Sequence, residues 1–141
     1  MQIGVETSRA VENKRVYVVH TDEIFRAALQ FMLHDENEAH EVTSLAEAYA
    51  KSVGRKVDLI LLDMAIVRQE GQGVLRELNR RVPGAKVLLV AESANDPLVQ
   101  ACLGSGADDV LSHPLKVEPV RRKANALLGR SATPVSLKVL G

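Results

Sequence analysis

The chain has 141 residues, enough for one domain and short for two. Eighteen basic and eighteen acidic residues cancel, so no global field draws the chain to nucleic acid or to an anionic membrane. The 46% of hydrophobic residues can build one sizeable core. With only 3% aromatic, that core is aliphatic.

Cys102 is the only cysteine, which rules out an internal disulfide and fits a reducing compartment; its apolar helical surroundings favour a packing role over a reactive thiol. No apolar run approaches the roughly 20 residues that span a bilayer. The N-terminus lacks the apolar centre of a signal peptide, so the expected location is cytoplasmic.

Residues 1–14 are polar and aperiodic and are expected to form a flexible arm. Val16, Tyr17, Val18 and Val19 make a first buried strand. The polar turn His20-Thr21-Asp22-Glu23 comes next, and Asp22 or Glu23 can serve the positive end of the helix after it. Ile24, Phe25, Ala28, Leu29, Met32 and Leu33 recur at helical spacing, predicting a helix over 23–33. Residues 34–38 read as a loop and 39–43 as a weak edge strand. Ser44 and Glu47 then make a capping box that opens an alanine-rich helix to about Val53, with Gly54 at its end.

Residues 57–62 hold five apolar side chains in six, the mark of a strand buried on both faces, and Asp63 stands at its carboxyl end. In an open parallel sheet that end collects ligands and chemistry. The plainer alternative is that Asp63 starts a loop or caps the next segment. Residues 64–72 are expected to be a loop. Val74, Leu75, Leu78 and Val82 give the next helix one apolar face, closed by Pro83-Gly84. Residues 87–90 make a fourth strand. Asp96 before Pro97 is an N-cap for a helix over 97–103. Residues 109–112 form a short fifth strand, and 117–128 the last helix. Residues 130–141 read as a linker or tail leading to a missing output domain, which leaves 15–129 as the folded unit. Five strands alternating with five helices argue an α/β parallel sheet with helices on both faces.

Several features together resemble the receiver domain of bacterial response regulators, the CheY-like family. They are Val18-Val19 with Arg26 seven residues on, Leu61-Leu62-Asp63 with Gly71 eight residues on, the stretch Gly104-Ser105-Gly106-Ala107-Asp108-Asp109, and His113-Pro114 where the family carries Lys-Pro. The resemblance implies a flavodoxin-like, doubly wound sheet in the order 2-1-3-4-5 and a signalling role in a two-component phosphorelay, without enzymatic activity. It implies that Asp63 is the phosphoacceptor, served by a histidine kinase. It also implies a cis bond before Pro114, contact with kinase or output-domain partners, and homodimerisation through the surface from Pro97 to Leu128.

The supporting residues depart from that pattern. The two acids expected to hold Mg²⁺ are His20 and Thr21. Asp22 is retained one place later, so Asp22 and Asp63 are the remaining metal candidates. The switch hydroxyl position is Ala91, the lysine position is His113, and the usual loop proline is Val67. These departures predict an atypical receiver that works through phosphorylation-independent contacts, with Mg²⁺ binding doubtful. The alternatives are a phosphorylatable receiver and a metal- or cofactor-binding flavodoxin-like domain. For the latter, His20, Asp63 and His113 could hold Zn²⁺ or form a pH-sensitive cluster with a raised histidine pKa. The glycine-free, acidic turn at 20–23 argues against phosphate or flavin binding. The basic runs Arg80-Arg81 and Arg121-Arg122-Lys123 lack interleaved aromatics and predict no direct nucleic-acid contact by this domain.

Overall fold

In the computed structural model of the chain, residues 13–130 are described. The expectations for residues 1–12 and 131–141 fall outside them. Five parallel strands form one sheet: β1 Lys14–Val19, β2 Asn37–Val42, β3 Leu59–Asp63, β4 Lys86–Ala91 and β5 Asp109–Ser112, in the order β2-β1-β3-β4-β5. Lys14, expected in the arm, opens β1 opposite Asn37, and β2 begins two residues before its predicted start.

Alternation explains the layers. Along β1, Val16 and Val18 face one side and Tyr17 and Val19 the other, and β3 repeats this with Leu59 and Leu61 against Ile60 and Leu62. One face packs on α1 Glu23–Leu33 and α6 Val117–Leu127 through Leu29, Leu33, Val120 and Ala124. The other packs on α2 Leu45–Ser52, α3 Met64–Glu70, α4 Val74–Arg81 and α5 Pro97–Leu103. Cys102 is fully buried there, and burial pushes its thiol pKa up, so it acts as a small apolar side chain.

The helix starts are chemically fixed. Asp22 Oδ1 accepts from the backbone N–H groups of Ile24 and Phe25, Ser44 Oγ from Glu47, and Asp96 Oδ1 from Leu98 with Pro97 as the first helical residue. The return bond of the Ser44 capping box goes elsewhere. Glu47 Oε1 accepts from the amide and hydroxyl of Thr43.

The predicted loop at 64–72 is a correction. Residues 64–70 form α3, a sixth helix, capped by Asp63 through Ala65 N–H at 3.0 Å, with Met64, Ile66 and Val67 buried. Val67 stands where a proline would remove an amide from the helical ladder, so the chain can coil directly off the strand. Arg68 then pairs with Asp96, fastening α3 to the cap of α5. The bond before Pro114 is cis, as the resemblance implied.

Val67→Pro should unwind α3 and cost about 3 kcal/mol. Urea unfolding of the variant beside the parent chain checks this.

Candidate functional site

The carboxyl ends of β1, β3, β4 and β5 bring His20, Thr21, Asp63, Ala91 and His113 to one end of the sheet. The His113 N–H donates to the Ala91 carbonyl at 3.1 Å, closing the β4–β5 side. On the β1 side, Arg26 donates to the His20 carbonyl at 2.9 Å and pairs with Glu41 at 3.2 Å, fixing the turn before α1.

Asp63 is 7% exposed. Its Oδ2 accepts the Thr21 hydroxyl at 2.6 Å and the Thr21 N–H at 3.1 Å, while Oδ1 accepts Ala65 N–H. Burial is the largest single influence on this carboxyl and pushes its pKa up. The Thr21 and Ala65 hydrogen bonds together outweigh it, helped by nearby His20, and the net pKa lies below the usual carboxylate range. Asp63 is therefore an ionised group whose charge is met by three donors, two of them in the β1–α1 turn.

His20 is 5% exposed, and its Nδ1 lies 3.5 Å from Asp63 Oδ2. The same Nδ1 accepts the Asp22 N–H at 3.0 Å. An imidazole accepting at Nδ1 is neutral and carries its proton on Nε2. Burial lowers the His20 pKa, and His113 and Arg26 push the same way. The attraction of Asp63 and Asp22 does not overcome them. The expectation of a raised histidine pKa is thus corrected for His20.

The Phe25 ring packs against both imidazoles, edge-on to His113 at 4.7 Å between centroids and tilted against His20 at 5.7 Å. His113 is near enough to help lower the His20 pKa, and the two imidazoles share Phe25 as an apolar neighbour.

A metal ion fits these groups poorly. Asp22 Oδ1 is spent on the α1 amides, and both Asp63 oxygens face N–H or O–H donors. Among the described residues no group of three His, Cys, Asp or Glu side chains could hold a metal ion. A bound phosphate at the α1 N-terminus would likewise meet the Asp22 carboxylate already seated there.

The sequence profile of the response regulator receiver domain matches residues 16–125. The chain belongs to that family. It is 30% identical over 124 residues to the alkaline phosphatase synthesis transcriptional regulatory protein PhoP of Bacillus subtilis, covering 84% of this chain and 50% of that protein. The chain spans about half the length of the curated relatives it matches. A response regulator from Thermotoga maritima has a TM-score of 0.75 at 19% identity, over 83% of this chain and 98% of its own. The receiver domain of the sensor histidine kinase PA1611 from Pseudomonas aeruginosa, with a magnesium ion coordinated in its active site cleft, gives 0.70 at 19%, again over 83% and 98%. These two likenesses show the fold: a flavodoxin-like, CheY-type sheet.

Receiver domains are regulatory signalling modules of two-component systems, with histidine kinases and output domains as partners. In this one Asp63 stands at the end of β3, at the place the resemblance gives the phosphoacceptor. Two participants were missed by sequence reasoning, Thr21 as a donor to Asp63 and Phe25 as the ring packed on both imidazoles, whereas capping by Asp63 was among its alternatives. A hydroxyl replacing an acid beside a buried carboxylate was the available signal for Thr21. Phe25 had none, since it reads as one more apolar position of α1.

Two outcomes are expected. Asp63→Asn should keep the fold but cost about 1–3 kcal/mol, because an amide cannot accept from both Thr21 and Ala65 without setting its own N–H₂ against a donor. The Asp63 pKa is depressed, so its contribution is present above the ordinary carboxylate range and lost as pH falls through its folded value. The stability gap between parent and variant should therefore close in acid. His20 is also depressed, so folding should weaken as pH falls below about 6.5. In His20→Asn, which keeps an acceptor for Asp22 N–H without titrating, that step should be absent. Urea midpoints across pH read both.

Proposed function

We propose that this domain is an atypical receiver that regulates through protein contacts, with Asp63 serving as a joint between β3 and the β1–α1 turn rather than as a phosphoryl acceptor. The observation that carries this reading is the engagement of both Asp63 oxygens by donors from Thr21 and Ala65. Phosphoryl transfer to a carboxylate needs a free oxygen lone pair in line with the phosphorus and positive charge on the transferring group. At Asp63 three donors take three of about four lone-pair sites, and both oxygens are engaged. The positions that would bring acids for Mg²⁺ are the neutral His20 and Thr21, and Ala91 offers no hydroxyl to a phosphoryl oxygen.

Output then rests on a population shift set by whichever partner binds one arrangement of the domain better. The matched relatives are transcriptional regulatory proteins about twice as long as the matched segment, which supports reading 15–129 as the regulatory unit and 130–141 as the lead into an output domain. The surface from Pro97 to Leu128 is the proposed face for self-association. Direct nucleic-acid binding by this domain is disfavoured by how its basic run is used: Arg121 donates to the Met32 carbonyl and pairs with Asp35, and Lys123 donates to the Val110 carbonyl.

The test is the intact mass of the chain after incubation with Mg²⁺ and a small-molecule phosphodonor, beside Asp63→Asn. The expected result is no added phosphoryl group on either protein. A gain on the parent that the variant lacks establishes the phosphorylatable receiver instead.

A further inference from the structure

The side of α1 turned away from the sheet holds two large apolar side chains in water. Leu29 and Leu33 anchor the buried side of this 11-residue helix. Ile24 and Phe31 stand opposite them, 77% and 70% exposed. They are seven residues apart, so at 3.6 residues per turn they fall within about 20° of one line. Exposed Ala27 lies between them on the same stripe. Single exposed apolar residues are ordinary, whereas two on one line with a small residue between them make a seam.

Among the described residues no element of the domain covers this seam. On one flank α1 is fastened to β2, where Arg26 pairs with Glu41 and the Gln30 amide donates to the Ala39 carbonyl at 3.2 Å. On the other it is fastened to α6 and to the turn before it, where Arg121 donates to the Met32 carbonyl and Phe25 packs on His113. The stripe lies between the two attachments.

Its order of sizes runs large, small, small, large: Ile24, Ala27, Ala28, Phe31. Turned end for end, that order reads the same. A two-fold contact requires this, because each residue meets its counterpart across the axis. With the axis between Ala27 and Ala28, Ile24 meets the partner's Phe31. The alanines at the crossing let the helix axes come to the near end of the usual range of about 8–10 Å. The polar flank agrees. Glu23 and His34 lie on one side of the stripe, about 20° apart around the helix. Like flanks of an antiparallel pair meet with their ends reversed, which sets Glu23 beside the partner's His34, an imidazole able to donate to it. Glu23 makes no ion pair within the described residues. The positive start of each helix also meets the negative end of the other.

We propose that two copies of this chain pair antiparallel through α1, with Ile24 against Phe31 and the alanines at the crossing. So few side chains make a small interface, below about 1,200 Å² in total, the class of transient contacts. The pair therefore forms and parts with concentration. Helix α1 lies outside the surface from Pro97 to Leu128, so this face is separate from that one, and it stands whether or not Asp63 takes a phosphoryl group.

Sedimentation equilibrium of the full 141-residue chain from about 10 μM to about 1 mM tests it. The mean mass should rise from that of one chain toward that of two. Ile24→Glu and Phe31→Glu should each hold it at one chain throughout. Both positions are largely in water, so the fold survives these changes. A parent that stays at one chain over the whole range overturns the proposal. So does a dimer that survives both substitutions, since its contact then lies elsewhere, the Pro97 to Leu128 surface included. Ala27→Cys reads the axis. Beside the two-fold its thiols should join two chains under mild oxidation, with no competition from the fully buried Cys102. No cross-link at concentrations where the parent is a dimer also overturns the proposal.

Discussion

A buried carboxylate at the end of a central strand has to be neutralised by something, and in this domain the Thr21 hydroxyl and amide do it. Asp63 ends β3 between β1 and β4, where little of its surface is left for water to solvate a charge. The 2.6 Å bond from Thr21 and its companions keep the acid ionised. Because Thr21 lies in the turn between β1 and α1, the same bonds set where α1 begins, and Asp22 beside it caps that helix. The other oxygen of Asp63 starts α3. One side chain therefore fixes two helices to the strand ends.

The neighbouring substitutions fit this arrangement as a set. With a neutral His20 accepting Asp22 N–H, position 20 adds no negative charge beside Asp63. Ala91 leaves no hydroxyl waiting for a phosphoryl oxygen, and Phe25 packs its apolar ring against both imidazoles. Val67 permits α3 to begin directly at Asp63, and the Arg68–Asp96 pair ties that helix to α5. A loop built to move needs weak attachments; this one has a buried apolar side, a cap and an ion pair.

The sheet was readable because strands buried on both faces must be apolar runs, and residues 57–62 and 87–90 are such runs. The caps were readable because Asp22, Ser44 and Asp96-Pro97 have few alternatives to capping. Helix α3 was not. Its seven residues present buried positions at 64, 66 and 67, too few to set a helical period apart from a loop. The sign of the His20 shift was also hidden. It is a difference between burial and two nearby acids, and only the folded geometry shows that Asp22 offers His20 an N–H donor rather than its carboxylate. Membership of the family was legible from motif order, whereas what Thr21 does for Asp63 became visible only once its hydroxyl was seen on Oδ2.

Whether Asp63 is closed to a metal is read most directly by a Mg²⁺ titration followed through the backbone amide resonances of Thr21, Asp22 and Ala65. If the Thr21 and Ala65 donors hold both Asp63 oxygens, these resonances should stay in place up to tens of millimolar Mg²⁺, far beyond the range in which a built carboxylate site of roughly millimolar or tighter affinity saturates. Saturable shifts centred on Thr21 and Ala65 would contradict it, since they would mean that the ion displaces the Thr21 donors and that Asp63 retains a working metal pocket.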